Sequence, residues 1–413
     1  MSYNLNYVFP KKAEAIIKAS NAFVKKDTKI IYEYDDAYLL PLKDFSNMYG
    51  IGGVVDSNGE YVESSKQYGR FCGKYEFTNS DYIDKKVVYC GFFYKAWGHF
   101  ITEVVSRLWY VLEHDETIDC YVFLDCLGGN SNISGNYLEF FKLLGIEDKI
   151  LLINKPTQFS KVLIPQEGLS YCKYYTQAFA DMFKYINKIG LSKYTGPKYE
   201  KVYFSKNMIK GTIQSNLNIK FVDNYFKDNG YAIFYPENLT LIDTIGIMQN
   251  CKYFCGLSSS LAHNQLFGHS NQTMISIEKQ AFYNPYQIFV ANITGCEVVF
   301  VDACRHIFTV GSAGPFLYDY TQYFDNFAQD YGLKKGKAMS NHKYKRMFKK
   351  YLVFYFNLNN ELPPDWMYTK EVVDMSREMY NDTIKNGKIF HMSFYNRCIM
   401  KFRKVFFKWF GLY

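Results

Sequence analysis

Three features of the 413-residue chain predict an α/β protein with two strand–helix domains and a basic, helical C-terminal extension. Apolar strand runs alternate with helical periodicity from Lys86 onward, the alternation breaks at Gly196-Pro197 and restarts, and the charge balance changes near residue 331. The expected units are residues 1–195, residues 196–310 and a segment 311–413. Hydrophobic residues make up 48% of the chain and charged ones 21%, which excludes a largely disordered polymer.

The first unit begins with short strands and turns over residues 30–75, where "VVDSNGEYV" predicts a hairpin whose Asn58-Gly59 pair supplies positive φ angles. "KKVVYCGFF" (85–93) reads as a buried strand and is followed by a helix over "AWGHFITEVVSRLW" (96–109). A strand at 119–125, a helix near 135–145, strands around 149–153 and 161–164 and a helix near 176–190 complete it. This alternation predicts a parallel sheet covered on both faces.

The second unit repeats the pattern, with strands at 201–205, 231–235, 252–256, 273–278 and 297–302. Helices are expected at about 217–229, 240–250 and from about 260. Five strands with helical crossovers describe a nucleotide-binding type of domain, and two such domains side by side leave a cleft between them.

From 331 to 413 there are 17 Lys and Arg against 6 Asp and Glu, a net of +11 in a chain of net +8, so the rest sums to −3. The basic character belongs to the extension, which argues against nucleic acid as a partner of the main body. In residues 394–413, Tyr395, Cys398, Ile399, Phe402, Val405, Phe406, Trp409 and Phe410 share one helical face, and Arg397, Lys401, Lys404 and Lys408 the other. That pattern fits a helix lying on an anionic membrane surface, and it also fits a C-terminal helix docked on the body with a solvated basic face. "HKYKRMFKKYLVFYF" (342–356) is a second basic, aromatic run. The chain carries no readable secretory signal and no spanning segment, and its ten scattered cysteines predict reduced thiols in a cytoplasmic protein.

On a helical wheel Trp97, Ile101, Val104, Leu108 and Val111 share one side of the 96–109 helix, while His99, Glu103 and Arg107 form a ladder on the other. A ladder of this kind is either a solvated face or a catalytic one; its place after a buried strand sets His99 at the sheet edge, where a cleft would open. In "CGLSSSLAHNQLF" (255–267), Ser258, Ser259 and Ser260 stand where a helix N-terminus would present free N–H groups to phosphate, with His263 and Asn264 in the first turn. The helix terminus favours a neutral imidazole at His263. "VYFSKN" puts Ser205 and Lys206 after the first strand of the second unit, with Lys206 a point charge for phosphate. Glu237 in "YPENL" follows the second strand, where an acid can bind ribose hydroxyls or favour the helix dipole.

No GxGxxG, GxxxxGK[ST], HExxH or GxSxG occurs, so nicotinamide chemistry, P-loop phosphoryl transfer, zinc proteolysis and the serine hydrolases lose their strongest motifs. No DxD is present, and the adjacent acids of "YDDAY" point to different sides. The expectation is a transferase with no metal and no cofactor.

"GFFYKAWGHFITEVVSRLWYVL", "KVYFSKN", "GYAIFYPENLTLIDTIGIMQNCKYFCGLSSSLAHNQLF" and "NPYQ" (284–287), in that order, resemble bacterial members of glycosyltransferase family 61. The resemblance runs from about residue 40 to 305, includes "PLKDFSNMYGIGGVVDSNGEYVESS", and leaves out the basic tail. It implies a GT-B type fold with the acceptor domain first and an inverting, metal-independent transfer from a nucleotide sugar. Ser205-Lys206 departs from the Ser-Arg of many members, and "LSSSLAHN" departs from the glycine-rich turn of eukaryotic ones, so donor identity does not carry over. His99 and Glu103 are then candidates for base and orienting acid, and Arg107 for holding Glu103 or meeting phosphate. Lys206, Ser205, Glu237, Ser258, Ser259, Ser260, His263 and Asn264 are candidates for the donor site. The expected acceptor is a growing bacterial surface glycan, free or lipid-linked, at the inner face of the cytoplasmic membrane. The rival expectation is a catalytically silent glycan-binding or scaffold protein of a polysaccharide assembly complex.

Overall fold

The computed structural model describes residues 3–46, 49–67, 71–126, 132–209, 215–281, 283–306 and 314–358. The chain opens with β1 (Tyr3–Tyr7), a helix over Pro10–Ala22 and β2 (Val24–Lys26). β3 (Ile31–Ser46), β4 (Tyr49–Val55), β5 (Asp81–Phe93), β6 (Cys120–Asp125), β7 (Ile150–Ile153) and β8 (Thr157–Pro165) come next. These six form one sheet in the order β4-β3-β8-β5-β6-β7. β9 (Leu169–Ser170) and β10 (Tyr174–Thr176) join β2 in a small sheet, and a helix over Gln177–Lys193 leads into the second half.

That first sheet is mixed, not parallel throughout: β5 runs parallel to β8 and β6, while β3 is antiparallel to both β4 and β8. The antiparallel part comes from residues expected to be short strands and turns. β3 instead runs 16 residues, because Asp36 and Asp44 adopt positive φ (51° and 54°) within the strand and do not end it. Asp tolerates this left-handed conformation, and the pairing of β3 with β4 skips residues near Asp44. In the 54–62 turn only Gly59 has positive φ; Asp56 accepts the Asn58 and Glu60 amides and closes a longer loop than a two-residue turn.

The second half supplies β11 (Lys201–Phe204), β12 (Asn216–Leu217), β13 (Ala232–Phe234), β14 (Tyr253–Leu257), β15 (Thr273–Glu278), β16 (Glu297–Asp302) and β17 (Phe316–Leu317). Its main sheet is parallel throughout, in the order β1-β16-β15-β14-β11-β13, while β12 pairs with β17. The five expected strands are present, and β1, from the opposite end of the chain, adds a sixth. Side chains alternate across this sheet: Phe254, Met274 and Val298 enter the core shared with the first half, and Cys255, Ile275 and Val299 enter a second core roofed by Phe324 and Phe327. Both faces are covered, which is why these strands read as unbroken apolar runs.

The halves are joined by packed helices. Tyr194 lies so close to Gly246 that a Cβ there would collide with the Tyr194 ring, and one at Gly190 would fall 2.5 Å from Ile245. The C-terminal Asn341–Leu358 helix buries Tyr344, Phe348 and Tyr351 and exposes His342, Lys345, Arg346, Lys349 and Lys350. The 394–413 segment lies outside the described residues. No described helix is long and apolar enough to cross a membrane, and the nine described cysteines are free thiols.

Replacing Gly246 by Ala is expected to force Tyr194 off its helix and destabilise the fold by about 1–3 kcal/mol, read as a lower denaturant midpoint at unchanged slope.

Candidate active site

The 96–109 segment is helical but is not one α-helix. An α-turn at Trp97–His99 passes into a π-helical turn at Phe100–Val104, where Val105 N–H donates to Phe100 O at 3.1 Å, and a 3-10 helix resumes at Leu108–Glu113. Nor does the ladder face water: Glu103 and Arg107 are buried and His99 is half-buried. π-Turns of this kind recur at functional sites, since they re-aim side chains that a regular helix would stack.

Glu103 is the centre of the arrangement. Its carboxylate accepts from His99 Nδ1 at 2.7 Å, from the Tyr94 hydroxyl at 2.7 Å and from the Tyr286 hydroxyl. An ionised Glu103 fixes the imidazole tautomer with the proton on Nδ1, leaving the lone pair on Nε2, which makes no hydrogen bond among the described residues. Tyr94 extends from β5, and Tyr286 comes from the second half, in a helix over Pro285–Thr294 capped by Asn284, whose side chain accepts the Tyr286 amide. "NPYQ" therefore delivers a second-half hydroxyl to a first-half carboxylate.

Arg107 does not join this group. The backbone leaves the helical path after the π-turn, at Val105 (ψ 7°), and swings Arg107 toward the 63–67 loop. There its Nη2 donates to the Ser64 and Lys66 carbonyls at 3.0 and 2.9 Å, with Glu167 3.7 Å from Nη1. It supports the loop and touches neither His99 nor Glu103 in this structure.

Trp97 and Gly98 face the turn and short helix after β14. Trp97 Nε1 donates to Asn264 Oδ1 at 2.9 Å, and a Cβ on Gly98 would lie 2.6 Å from Ser260 Cβ and 3.0 Å from His263 Nδ1. Only glycine permits this approach. The turn itself differs from the expected helix start: Ser258–Leu261 form turns, and the helix behind them is a six-residue 3-10 segment, Ala262–Phe267. So short a segment sums little dipole, and the case for anion binding passes from the helix terminus to the side chains.

Those side chains divide clearly. Ser258 is buried with its amide bonded to Ile277 O, and Ser259 Oγ donates to Leu257 O, closing its own turn. Ser260 lies against Gly98. Asn264 is used at both ends, accepting from Trp97 and donating to Leu261 O. Ser205 Oγ donates to Asp223 Oδ2 at 2.9 Å and accepts the Asn207 amide, so it braces the loop after β11. Glu237 is exposed beyond β13, at the sheet edge.

His263 is buried under the Tyr286 ring, centroids 4.8 Å apart, and neither ring nitrogen makes a hydrogen bond of normal geometry among the described residues. Burial, reinforced by the charge of Lys206, pushes its pKa down to about 3 and keeps it neutral. Burial likewise lowers Lys206. Lys279, the residue after β15, is buried too, and burial together with Lys206 brings its pKa to about 7. Among the described residues no cluster of three or more His, Cys, Asp or Glu is placed to hold a metal ion.

A family model described as Glycosyltransferase 61 matches residues 97–275, from Trp97 of the seam into β15. The protein is a glycosyltransferase. No curated protein matches the chain. The match spans both sides of the seam, and His99, Glu103, Lys206 and His263 lie within the matched residues. Reading the sequence alone misses three groups of this site: Tyr94, Tyr286 and Lys279. Tyr286 lies inside a motif that marks the resemblance, and Lys279 stands just past a strand's carboxyl end, so both positions carry a signal; Tyr94 has none beyond its nearness to His99.

Changing Gly98 to Ala in the glycosyltransferase should open the seam between Trp97-Gly98-His99 and Ser260. The expected result is a stability loss of about 1–3 kcal/mol with kcat/KM reduced disproportionately, checked by chemical denaturation beside steady-state transfer.

Proposed function

We propose that the enzyme catalyses an inverting, metal-independent transfer from a nucleotide-diphosphate sugar to a bacterial surface glycan, of capsule or lipopolysaccharide type. The observation that carries this reading is the His99–Glu103 pair, with Glu103 held by tyrosines from both halves and His99 Nε2 left to act. In the reaction, Nε2 takes the acceptor hydroxyl proton as the acceptor oxygen attacks the anomeric carbon from the face opposite the leaving group. The bond from that carbon to the phosphate oxygen breaks, and its electron pair leaves on the nucleoside diphosphate. Glu103 stabilises the imidazolium that forms, as a buried carboxylate beside Nδ1–H does in other histidine bases.

On the donor side, Lys206 supplies positive charge, while neutral His263 and the Ser258–Ser260 turn supply hydrogen bonds to the departing diphosphate. Ser205 and Asn264 shape this surface from behind, and exposed Glu237 is available to ribose hydroxyls. Arg107 acts by fixing the 63–67 loop. A GT-B arrangement, with the acceptor bound on the first half and the donor on the second, is supported by the two sheets meeting at this seam. We place the enzyme in the cytoplasm, peripheral to the inner face of the membrane, with residues 394–413 as a surface anchor; the exposed cations of the 341–358 helix are consistent with that site.

A thermal-shift screen with UDP, GDP, CDP and CMP sugars identifies the donor class, and stabilisation by none of them would favour the scaffold role. With the donor in hand, His99→Ala should lower transfer by about 10²–10⁴-fold while leaving nucleotide binding and melting temperature near wild type. Retained turnover in that variant sinks the base assignment.

Removal of residues 394–413 should reduce co-sedimentation with vesicles containing anionic lipid and leave transfer to a soluble acceptor intact. Unchanged partitioning would remove the anchor.

A further inference from the structure

The carboxyl ends of β15 and β16 hold a cluster of buried charges contributed from three parts of the chain. Lys12, fully buried on the Pro10–Ala22 helix, lies 2.6 Å from Asp302 Oδ1 and 3.2 Å from Glu278 Oε2, and donates to Gln280 O at 3.0 Å. Asp302 is further occupied by the Phe9 amide at 2.8 Å, and Glu278 Oε1 by the Ser276 hydroxyl at 2.8 Å. The N-terminal helix thus delivers one ammonium to two carboxylates and engages both.

Lys279 stands next to Glu278 in the chain but forms an ion pair with neither acid, and Glu278 acts on it only as a minor influence behind burial and Lys206. Its ammonium lies 4.4 Å from the Phe316 ring centroid and makes no hydrogen bond or ion pair among the described residues, although the side chain is only 7% exposed. A buried cation is held in folded proteins by an anion, by a proton equilibrium that discharges it, or by a ligand that arrives. Burial and the charge of Lys206 weaken its hold on a proton, and Glu278 offsets them only in part. Its position fits a ligand: β15 lies beside β14, whose Ser258 amide bonds to Ile277 O, and β14 lies beside β11, so Lys279 and Lys206 both follow carboxyl ends on the same edge of the parallel sheet.

We propose that Lys279 is a diphosphate-binding residue, the second cation that meets the phosphates of the nucleotide donor, left available because Lys12 occupies Glu278 and Asp302. This rests on the reading of the protein as a transferase using a nucleotide-diphosphate donor. The phosphates are the missing counterion. As the nucleoside diphosphate departs with an extra negative charge, two ammonium groups offset what Lys206 alone would meet.

The test uses the full chain, titrated with UDP, GDP, CDP and inorganic pyrophosphate by calorimetry. Wild-type protein should bind at least one nucleoside diphosphate, and Lys279→Met should weaken that binding by about tenfold or more, while Lys279→Arg keeps most of it. The ligand-free Lys279→Met protein should melt at or above the wild-type temperature, since it loses an unpaired buried charge, whereas loss of a structural lysine would lower it. Wild-type binding that Lys279→Met leaves unchanged overturns this assignment and leaves the transferase reading standing. Absence of binding by the wild-type protein to all four probes overturns the donor reading and this assignment with it.

Discussion

A carboxyl group buried to 4% exposure needs hydrogen-bond donors around it, and Glu103 obtains its donors from both halves of the molecule. Tyr94 is carried by the sheet of the first half, Tyr286 by a helix of the second, and His99 by the turn that leads into Glu103. Separation of the halves would strip Glu103 of the Tyr286 hydroxyl. The cost of an unsatisfied buried carboxylate therefore opposes separation, and the same carboxylate sets the His99 tautomer. Docking of the halves and poising of the histidine are one electrostatic requirement. The seam residues repeat the coupling by packing: Trp97 is bonded to Asn264 and Gly98 is pressed on Ser260, immediately before His99 in the chain.

Charge at the strand ends obeys a complementary constraint. Lys12 pairs with Glu278 and Asp302, and Lys279 follows Glu278 in the chain without an ion pair to either acid. Lys12 is fully buried and paired with both acids, which raise its proton affinity against the opposing effect of burial. Lys279 forms no ion pair with either acid, although Glu278 acts on it, and Lys206 adds further positive charge to its surroundings. Burial keeps His263 neutral, so beside Gly98 it offers hydrogen-bonding nitrogens and no further charge.

The sequence is most legible where the physics is local. Strands β14, β15 and β16 can be read from it because both faces are buried and their apolar runs are unbroken. β1 cannot, because "YNLNY" is polar and its parallel partner β16 is distant in the chain. The Pro285–Thr294 helix escapes for the opposite reason, being buried on nearly every side and so lacking an amphipathic stripe. β3 reads as turns because its Asp residues favour turns, yet tertiary pairing with β8 outweighs that preference. In the site, residue types point to His99, Glu103 and His263. They cannot tell that Ser205 and Asn264 spend their polar atoms on the protein itself, since Asp223 and Trp97 reach them only through the fold.

The π-turn separates two residues that a helical wheel treats alike. His99 and Glu103 are four apart and bond at 2.7 Å; Arg107 is four further on, but the Phe100–Val105 bond inserts an extra residue into the intervening turn. An added residue rotates the downstream chain by roughly 100° about the axis, enough to carry Arg107 from the seam to the 63–67 loop. A regular helix would have stacked the guanidinium under Glu103 as a fixed counterion, in competition with the imidazole. Without it, Glu103 has neutral hydroxyls and one imidazole for partners among the described residues, so its negative charge is directed at His99, where a proton arriving on Nε2 would need it.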